Sequence, residues 1–312
     1  MISIGVQTKN IVDDHDPAEG YKLLKAVGFS CTDFSLNSYL TNTSLYKFER
    51  NDFFDRPIAE LEQYFEPHKA GAKAAGITIH QMHMPYPVYV PGGSGDLNRY
   101  LRDTVARKSL DICAFFECPY IVIHGFKLAH CLGSEEAEWA QTEKFLDYLA
   151  PLAKERNITL CIENLYYSIG DRLVEGPCCD PKKAAERIDR FNTRYHRELL
   201  GFCFDTGHAN LVGIDFEGFL TTLGHRLKVL HIHDNDGASD LHQIPYTFTK
   251  TRENTSSTDW TGFLKGLRRI HFDQVLSFET APVLTAFPDE MKGEVLRFIS
   301  QIGEYFRINI QS

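Results

Sequence analysis

The chain reads as a (β/α)8 TIM barrel in a single domain spanning residues 1–312, and three observations carry that reading. Short apolar runs alternate with helix-patterned segments from one end of the sequence to the other. There are eight of each, which in 312 residues is the arithmetic of a closed barrel. No G-x-G-x-x-G follows the first run, as an open dinucleotide-binding sheet would have it, and ionisable residues close many of the runs.

A run of four to eight apolar residues bounded by polar or turn residues is the pattern of a strand buried on both faces. In order, the strands fall at residues 2–7, 31–36, 77–83, 120–124, 159–163, 201–205, 229–234 and 275–279. Helix patterns fill residues 18–27, 58–75, 97–116, 137–156, 182–191, 216–223, 260–270 and 289–306. Asp180 before Pro181 and Asp259 before Trp260 supply side-chain acceptors for helix starts. Gly76 and Asn157 stand where helices stop just ahead of a strand. Two insertions interrupt the alternation, residues 37–56 after the second strand and 237–259 after the seventh. Loops that follow strands lie on the carboxyl face of a barrel, so both are expected to act as lids over a pocket.

Composition narrows the partners. Hydrophobic residues make up 43% of the chain, enough for a full core, and the formal charge is 33 − 42 = −9. That sign repels a polyphosphate backbone, so no nucleic acid is expected as a partner. The amino terminus, MISIGVQTKN, has no basic region leading into an apolar stretch, and no run is long enough to span a bilayer. A cytoplasmic protein without membrane contact is expected. None of the eight cysteines forms a C-x-x-C pair, and Cys113, Cys161 and Cys203 sit in apolar segments, so buried free thiols are expected. The adjacent Cys178 and Cys179 fall on a loop and receive no role.

Four runs end on ligand-type residues: Glu163 closes ITLCIEN, Asp205 closes LLGFCFDTGH, His231 lies in LKVLHIHDND and Glu279 closes QVLSFET. A charged side chain at the end of a buried strand is costly unless it is paired or holds a cation. Four at matching positions predict one metal site. Two glutamates, an aspartate and a histidine form a mainly oxygen set, which places Mn2+ ahead of Mg2+, Co2+ and Zn2+. His231 and His233, two apart on a strand, point the same way, so one can ligate while the other lines the pocket. His83, His124, His208 and His242 fall on the same face, able to ligate a second metal, contact substrate or shuttle protons, with Tyr86 and Trp260 as aromatic faces for a substrate.

In strand order these runs resemble the xylose isomerase-like barrel superfamily, which holds sugar isomerases and epimerases and the barrel-type apurinic endonucleases. The resemblance is carried by HMPYP with His83, IVIHG with His124, CIENL with Glu163, FDTGHAN with Asp205 and His208, HIHD, DLH and SFET with Glu279. It favours His231 over His233 as the ligand and implies self-association through outer helices. Ketose 3-epimerases of this group carry an arginine where this chain has Gly237, and a glutamate where it has Ile169.

The leading expectation is therefore a metal-dependent isomerase or epimerase of a sugar, sugar acid or polyol. The metal would chelate a carbonyl and its neighbouring hydroxyl and hold the enediolate, while Glu163 and Glu279 move the proton. Elimination from the same enolate, a lyase or dehydratase reaction on a keto-sugar or oxidised glycoside, is the alternative, and Tyr39, Tyr46 and Phe48 would then meet a bulky aglycone. Metal-dependent phosphodiester hydrolysis is a third reading. A sugar-binding barrel without catalysis is a fourth.

Overall fold

The computed structural model describes residues 2–128, 133–250, 253 and 255–312. Eight parallel strands form one sheet: β1 Ser3–Gln7, β2 Cys31–Ser35, β3 Thr78–His83, β4 Tyr120–Ile123, β5 Thr159–Glu163, β6 Leu200–Asp205, β7 Leu227–His231 and β8 Val275–Phe278. The order is β8-β1-β2-β3-β4-β5-β6-β7. The ring closes between β7 and β8 through one parallel bridge, Ile232 to Phe278. There the Ile232 N–H donates to the Ser277 carbonyl at 2.9 Å, and the Glu279 N–H donates to the Ile232 carbonyl at 3.0 Å.

An outer layer of helices covers the ring: α1 Pro17–Ala26, α2 Ile58–Ala75, α3 built from the consecutive segments Gly95–Tyr100, Leu101–Ala106 and Arg107–Phe115, α4 Glu135–Arg156, α5 Pro181–Tyr195, α6 Phe216–Leu223, α7 Trp260–Arg269 and α8 Lys292–Gln311. The caps follow the sequence. Asp180 accepts the Lys182 and Lys183 amides ahead of Pro181, and Asp259 accepts the Gly262 amide. Gly76 and Asn157 end α2 and α4 in the left-handed region, with φ of 65° and 56°.

Strand alternation decides what each layer contains. On β5 and β6, Leu160, Ile162, Phe202 and Phe204 join the large core under the helices. Their neighbours Cys161 and Cys203 turn inward and pack with Val122 and Val229 in a separate small core inside the ring. Continued by two residues, that inward phase reaches His124, Glu163, Asp205 and His231 at the carboxyl mouth. Seven cysteines of the described residues are free and buried, Cys178 and Cys179 among them.

Several short elements escape sequence patterning because they are too brief for a period to show: the helices Asn42–Tyr46, Thr206–Leu211 and Ala281–Ala286, and the hairpin Tyr166–Ile169 with Arg172–Glu175. The first insertion packs inward on Asp14, whose carboxylate accepts from Tyr39 (2.7 Å), Tyr64 (2.9 Å) and His68 (2.8 Å). Tyr39 stacks on Phe53 with centroids 4.7 Å apart, so this ring serves packing.

Trp260 corrects the expectation that it meets substrate. It is 2% exposed and starts α7 in an aromatic cluster with Phe263, Phe306 and Tyr246, in the helix layer. Its position directly after a lid suggested the mouth, but the helix start carries the ring outward. Phe306 joins α8 to Trp260, Phe263 and the β8 residue Phe278. Phe306→Ala should lower unfolding free energy by about 3–5 kcal/mol, read from denaturant midpoints at an unchanged m-value.

Candidate metal centre

One imidazole nitrogen sits at the focus of the mouth. His231 Nδ1 lies 3.2 Å from Glu163 Oε1, 3.4 Å from Glu279 Oε2 and 3.8 Å from Asp205 Oδ2. The structure thus brings together all four residues that close the apolar runs. Asp205, His231 and Glu279 can each offer a ligand atom within 4.8 Å of the others'.

Neighbouring groups fix each member. His231 donates through Nε2 to Asp33 Oδ2 at 3.0 Å, which leaves Nδ1 as the nitrogen turned to the carboxylates. Asp33, on β2 and 1% exposed, is oriented in turn by the Gln81 amide at 3.0 Å. Asp205 caps the helix Thr206–Leu211 by accepting the His208 amide at 2.6 Å. The Asn164 side chain pairs with both the N–H and the carbonyl of Asp205, at 2.8 and 2.9 Å. One oxygen of Glu279 accepts from Gln7 at 2.9 Å. Gly207 is demanded by proximity: a Cβ there would lie 1.8 Å from His233 Cε1.

The remaining histidines surround this core. Glu163 Oε2 lies 3.0 Å from His124 Nε2 and 3.5 Å from His83 Nε2. His233 Nε2 meets both oxygens of Asp205 at 3.1 Å and stacks on His242 at 3.9 Å. The second insertion folds back through a bridge from Asp234 to Gln243, locked by the Thr258 hydroxyl on Asp234. That return delivers Asp240, whose Oδ2 is 3.3 Å from His242 Nε2 and 3.5 Å from His208 Nε2. Tyr86 stacks on His124 at 4.2 Å. A cavity of about 290 Å3 opens onto the cluster, walled by Tyr46, Tyr86, Lys127, Tyr166, Tyr167 and Asp240.

Asp33, Asp240 and Lys127 were not singled out in the sequence. Asp33 lies inside an apolar run rather than at its end, although a lone carboxylate within a buried strand is itself a signal. The DLH motif pointed to His242 and passed over its own aspartate.

Burial alone would neutralise these groups, and mutual pairing overrides it. Glu163 and Asp205 stay well into the ionised range because His231 and His124, and His208 and His233, face them. Burial pushes the His231 imidazole down, but the Glu279 and Glu163 carboxylates and the hydrogen bond to Asp33 lift it well above its ordinary value. His242, buried but facing Glu279 and Asp240, is raised to about 9. His124 goes the other way, lowered by burial to about 4 despite Glu163.

These donors fit a divalent cation. Asp240 Oδ1 is a buried carboxylate oxygen with no hydrogen-bond partner, and Glu163 Oε2 meets only the imidazole nitrogens of His124 and His83, themselves ligand-type atoms. Oxygen-rich sets with imidazole suit Mn2+, Mg2+, Co2+ or catalytic Zn2+.

A family model, the xylose isomerase-like TIM barrel, matches residues 22–300. The chain belongs to that family. An uncharacterised protein of Sinorhizobium fredii is 25% identical over 56% of this chain, a match spanning only 51% of that protein. The "Probable endonuclease 4" of Methanoculleus marisnigri is 29% identical over 54% of this chain and 60% of that one. Among solved structures, the E. coli 3-keto-D-glucoside 4-epimerase superposes with a TM-score of 0.65 at 14% identity, covering 99% of this chain and 100% of the other. A xylose isomerase domain protein of Alicyclobacillus acidocaldarius gives 0.65 at 14% identity, with 100% of both chains covered. At such identities these structures speak for the fold. No helix of the described residues is long and apolar enough to cross a membrane.

Two outcomes follow from this geometry. Asp33→Ala removes the acceptor that fixes the His231 tautomer, and metal affinity measured by chelator competition should fall about 10–100-fold. Because His231 is raised above its ordinary value, a proton occupies Nδ1 near neutral pH and must leave before a cation binds. Affinity should therefore drop by about tenfold per pH unit as pH falls from 8 to 6, for each proton displaced.

Proposed function

We propose that this protein is a divalent-metal-dependent isomerase or epimerase of a carbohydrate, moving a proton between carbons beside a carbonyl. The observation that carries the reading is the placement of two glutamates, Glu163 and Glu279, against one imidazole nitrogen at the floor of a cavity sized for one sugar ring. Glu163, Asp205, His231 and Glu279 would hold the cation, which when bound supplies Lewis acidity toward a carbonyl oxygen and its neighbouring hydroxyl.

The side chains divide the remaining work. Glu279 has one oxygen held by Gln7 and the other turned to the cavity, the arrangement of a base that must present one lone pair at a fixed angle. Glu163, held ionised by imidazoles, takes the second proton position, with His124 Nε2 against its outer oxygen. Neutral His124 can hydrogen-bond a hydroxyl without adding charge, and Tyr86 and Tyr166 offer ring faces to the sugar. The solved relative named for 3-keto-D-glucoside 4-epimerisation lends support by fold. Gly237 and Ile169, where ketose 3-epimerases carry arginine and glutamate, turn the reading away from a simple ketose 3-epimerase.

A second reading, phosphodiester hydrolysis with more than one metal, is favoured by one specific observation. His83 and His124 add to Glu163, and His208 and His242 share Asp240, so ligand-type groups extend beyond a mononuclear set. The relative named as an endonuclease points the same way. The −9 charge opposes a polyanionic substrate.

Elemental analysis and isotope exchange separate the readings. With about one metal per chain, incubation with ketoses and keto-glycosides in D2O should introduce carbon-bound deuterium at unchanged mass otherwise. Loss of water or aglycone would mean elimination instead. Glu279→Gln should slow exchange by about 10²–10⁴-fold. Undiminished exchange in that variant refutes its role, and three metals with cleavage of abasic DNA establishes the hydrolase.

A further inference from the structure

Lys127 is a cation in the reaction cavity that the proposed chemistry leaves unused. It lies in the loop after β4 and is the one Lys or Arg among the described residues that line the cavity. Its Nζ donates to the Tyr166 carbonyl at 2.6 Å and sits 5.3 and 5.1 Å from the ring centroids of Tyr166 and Tyr167. An ammonium carries three donors, so one strut to a carbonyl leaves two.

Among the described residues no carboxylate forms an ion pair with Lys127, although Glu163, Glu138 and Asp240 act on it from further away. Glu138, on the adjoining helix α4, is already engaged by the Leu128 amide and the Tyr167 hydroxyl. Two other partly buried cations are paired, Arg156 with Asp111 and Arg187 with Glu135 and Glu136, whereas Lys108, outside the cavity, is held by the carbonyls of Phe54 and Arg56. A half-buried ammonium without a counter-ion is unfavourable, and burial pushes its pKa down. The cavity beside it is walled by Tyr46, Ser168 and Asn42, groups that hydrogen-bond but carry no charge.

We infer that Lys127 receives an anionic group of the substrate, a carboxylate or a phosphate, so that the preferred carbohydrate is a sugar acid or sugar phosphate over its neutral parent. This rests on the proposed reading of the cavity as the reaction site. The charge distribution then sets the substrate's direction. Glu163, Asp240 and Glu279 line the cavity with negative charge that would repel an anion, and Lys127 stands with the tyrosines of the hairpin that follows β5. The carbonyl end would face the carboxylates, and the anionic end the ammonium.

The test is binding to the metal-reconstituted full chain, read by calorimetry so that no turnover is needed. D-fructose, D-fructose 6-phosphate and D-fructuronate form a neutral, a phosphate and a carboxylate probe. At least one anionic probe should bind about tenfold or more tightly than fructose, and which one does identifies the group. Lys127→Met should abolish the preference with metal content unchanged, and Lys127→Arg should keep it. If Lys127→Met does not fold, Lys127→Gln, which can keep a hydrogen bond to the Tyr166 carbonyl without the charge, gives the same comparison. Equal affinities, no binding of either anion, or a preference that survives Lys127→Met overturns the inference. An anion preference without deuterium exchange would leave it standing and remove the proton-transfer reading. Exchange on neutral sugars with no anion preference would do the reverse.

Discussion

The mouth of this barrel is organised around negative charge that cannot disperse. Glu163, Asp205 and Glu279 come within 3.8 Å of a single nitrogen of His231, in a site nearly closed to water. Carboxylates so close, in a medium of low permittivity, repel strongly unless positive charge stands between them. Imidazoles raised above their ordinary value by these carboxylates, those of His83, His208 and His231, answer part of that need. His83, His124, His208 and His233 each face one of those carboxylates, and Asp33 and Gln81 then settle the orientation of the imidazole at the centre.

Strand alternation lets this charge exist without endangering the fold. The inward positions below the mouth hold Val122, Cys161, Cys203 and Val229, small side chains that fill the ring without polar demands beyond a thiol. On β5, β6 and β7 the carboxylate or imidazole stands only at the last inward position, as Glu163, Asp205 and His231. Packing between the ring and the helices is entirely separate and aromatic-rich, with Phe202, Phe204, Phe263, Phe278 and Phe306 in contact across it. Changes at the mouth therefore act on a layer that contributes little to hydrophobic stability.

The parts of this architecture that were legible in the sequence are those that repeat or close a pattern. The strands, the eight long helices, their aspartate caps and their Gly76 and Asn157 stops follow from local physics. So do the four residues at run ends, since a charged group beside a buried strand demands an explanation wherever it occurs. What was not legible depends on contacts far apart in sequence. Asp33 matters because β2 faces β7 across the ring, 198 residues away. Asp240 reaches His208 only because Asp234 pairs with Gln243 and turns the insertion back. The hairpin after β5 is eight paired residues with no apolar periodicity, yet it supplies Tyr166 and Tyr167. Trp260 shows the opposite failure: chain proximity to a lid does not decide which way a ring points.

The seam between β7 and β8 has one further consequence. Every other junction of the ring is a ladder of several residue pairs, whereas this one is a single bridge at Ile232. His231 stands immediately on one side of it, and the backbone of Glu279 makes one of its two hydrogen bonds on the other. An ion gripped by both side chains would act as a staple across the thinnest joint of the barrel. Occupancy of the centre would thus reinforce a closure that the backbone already makes with two hydrogen bonds.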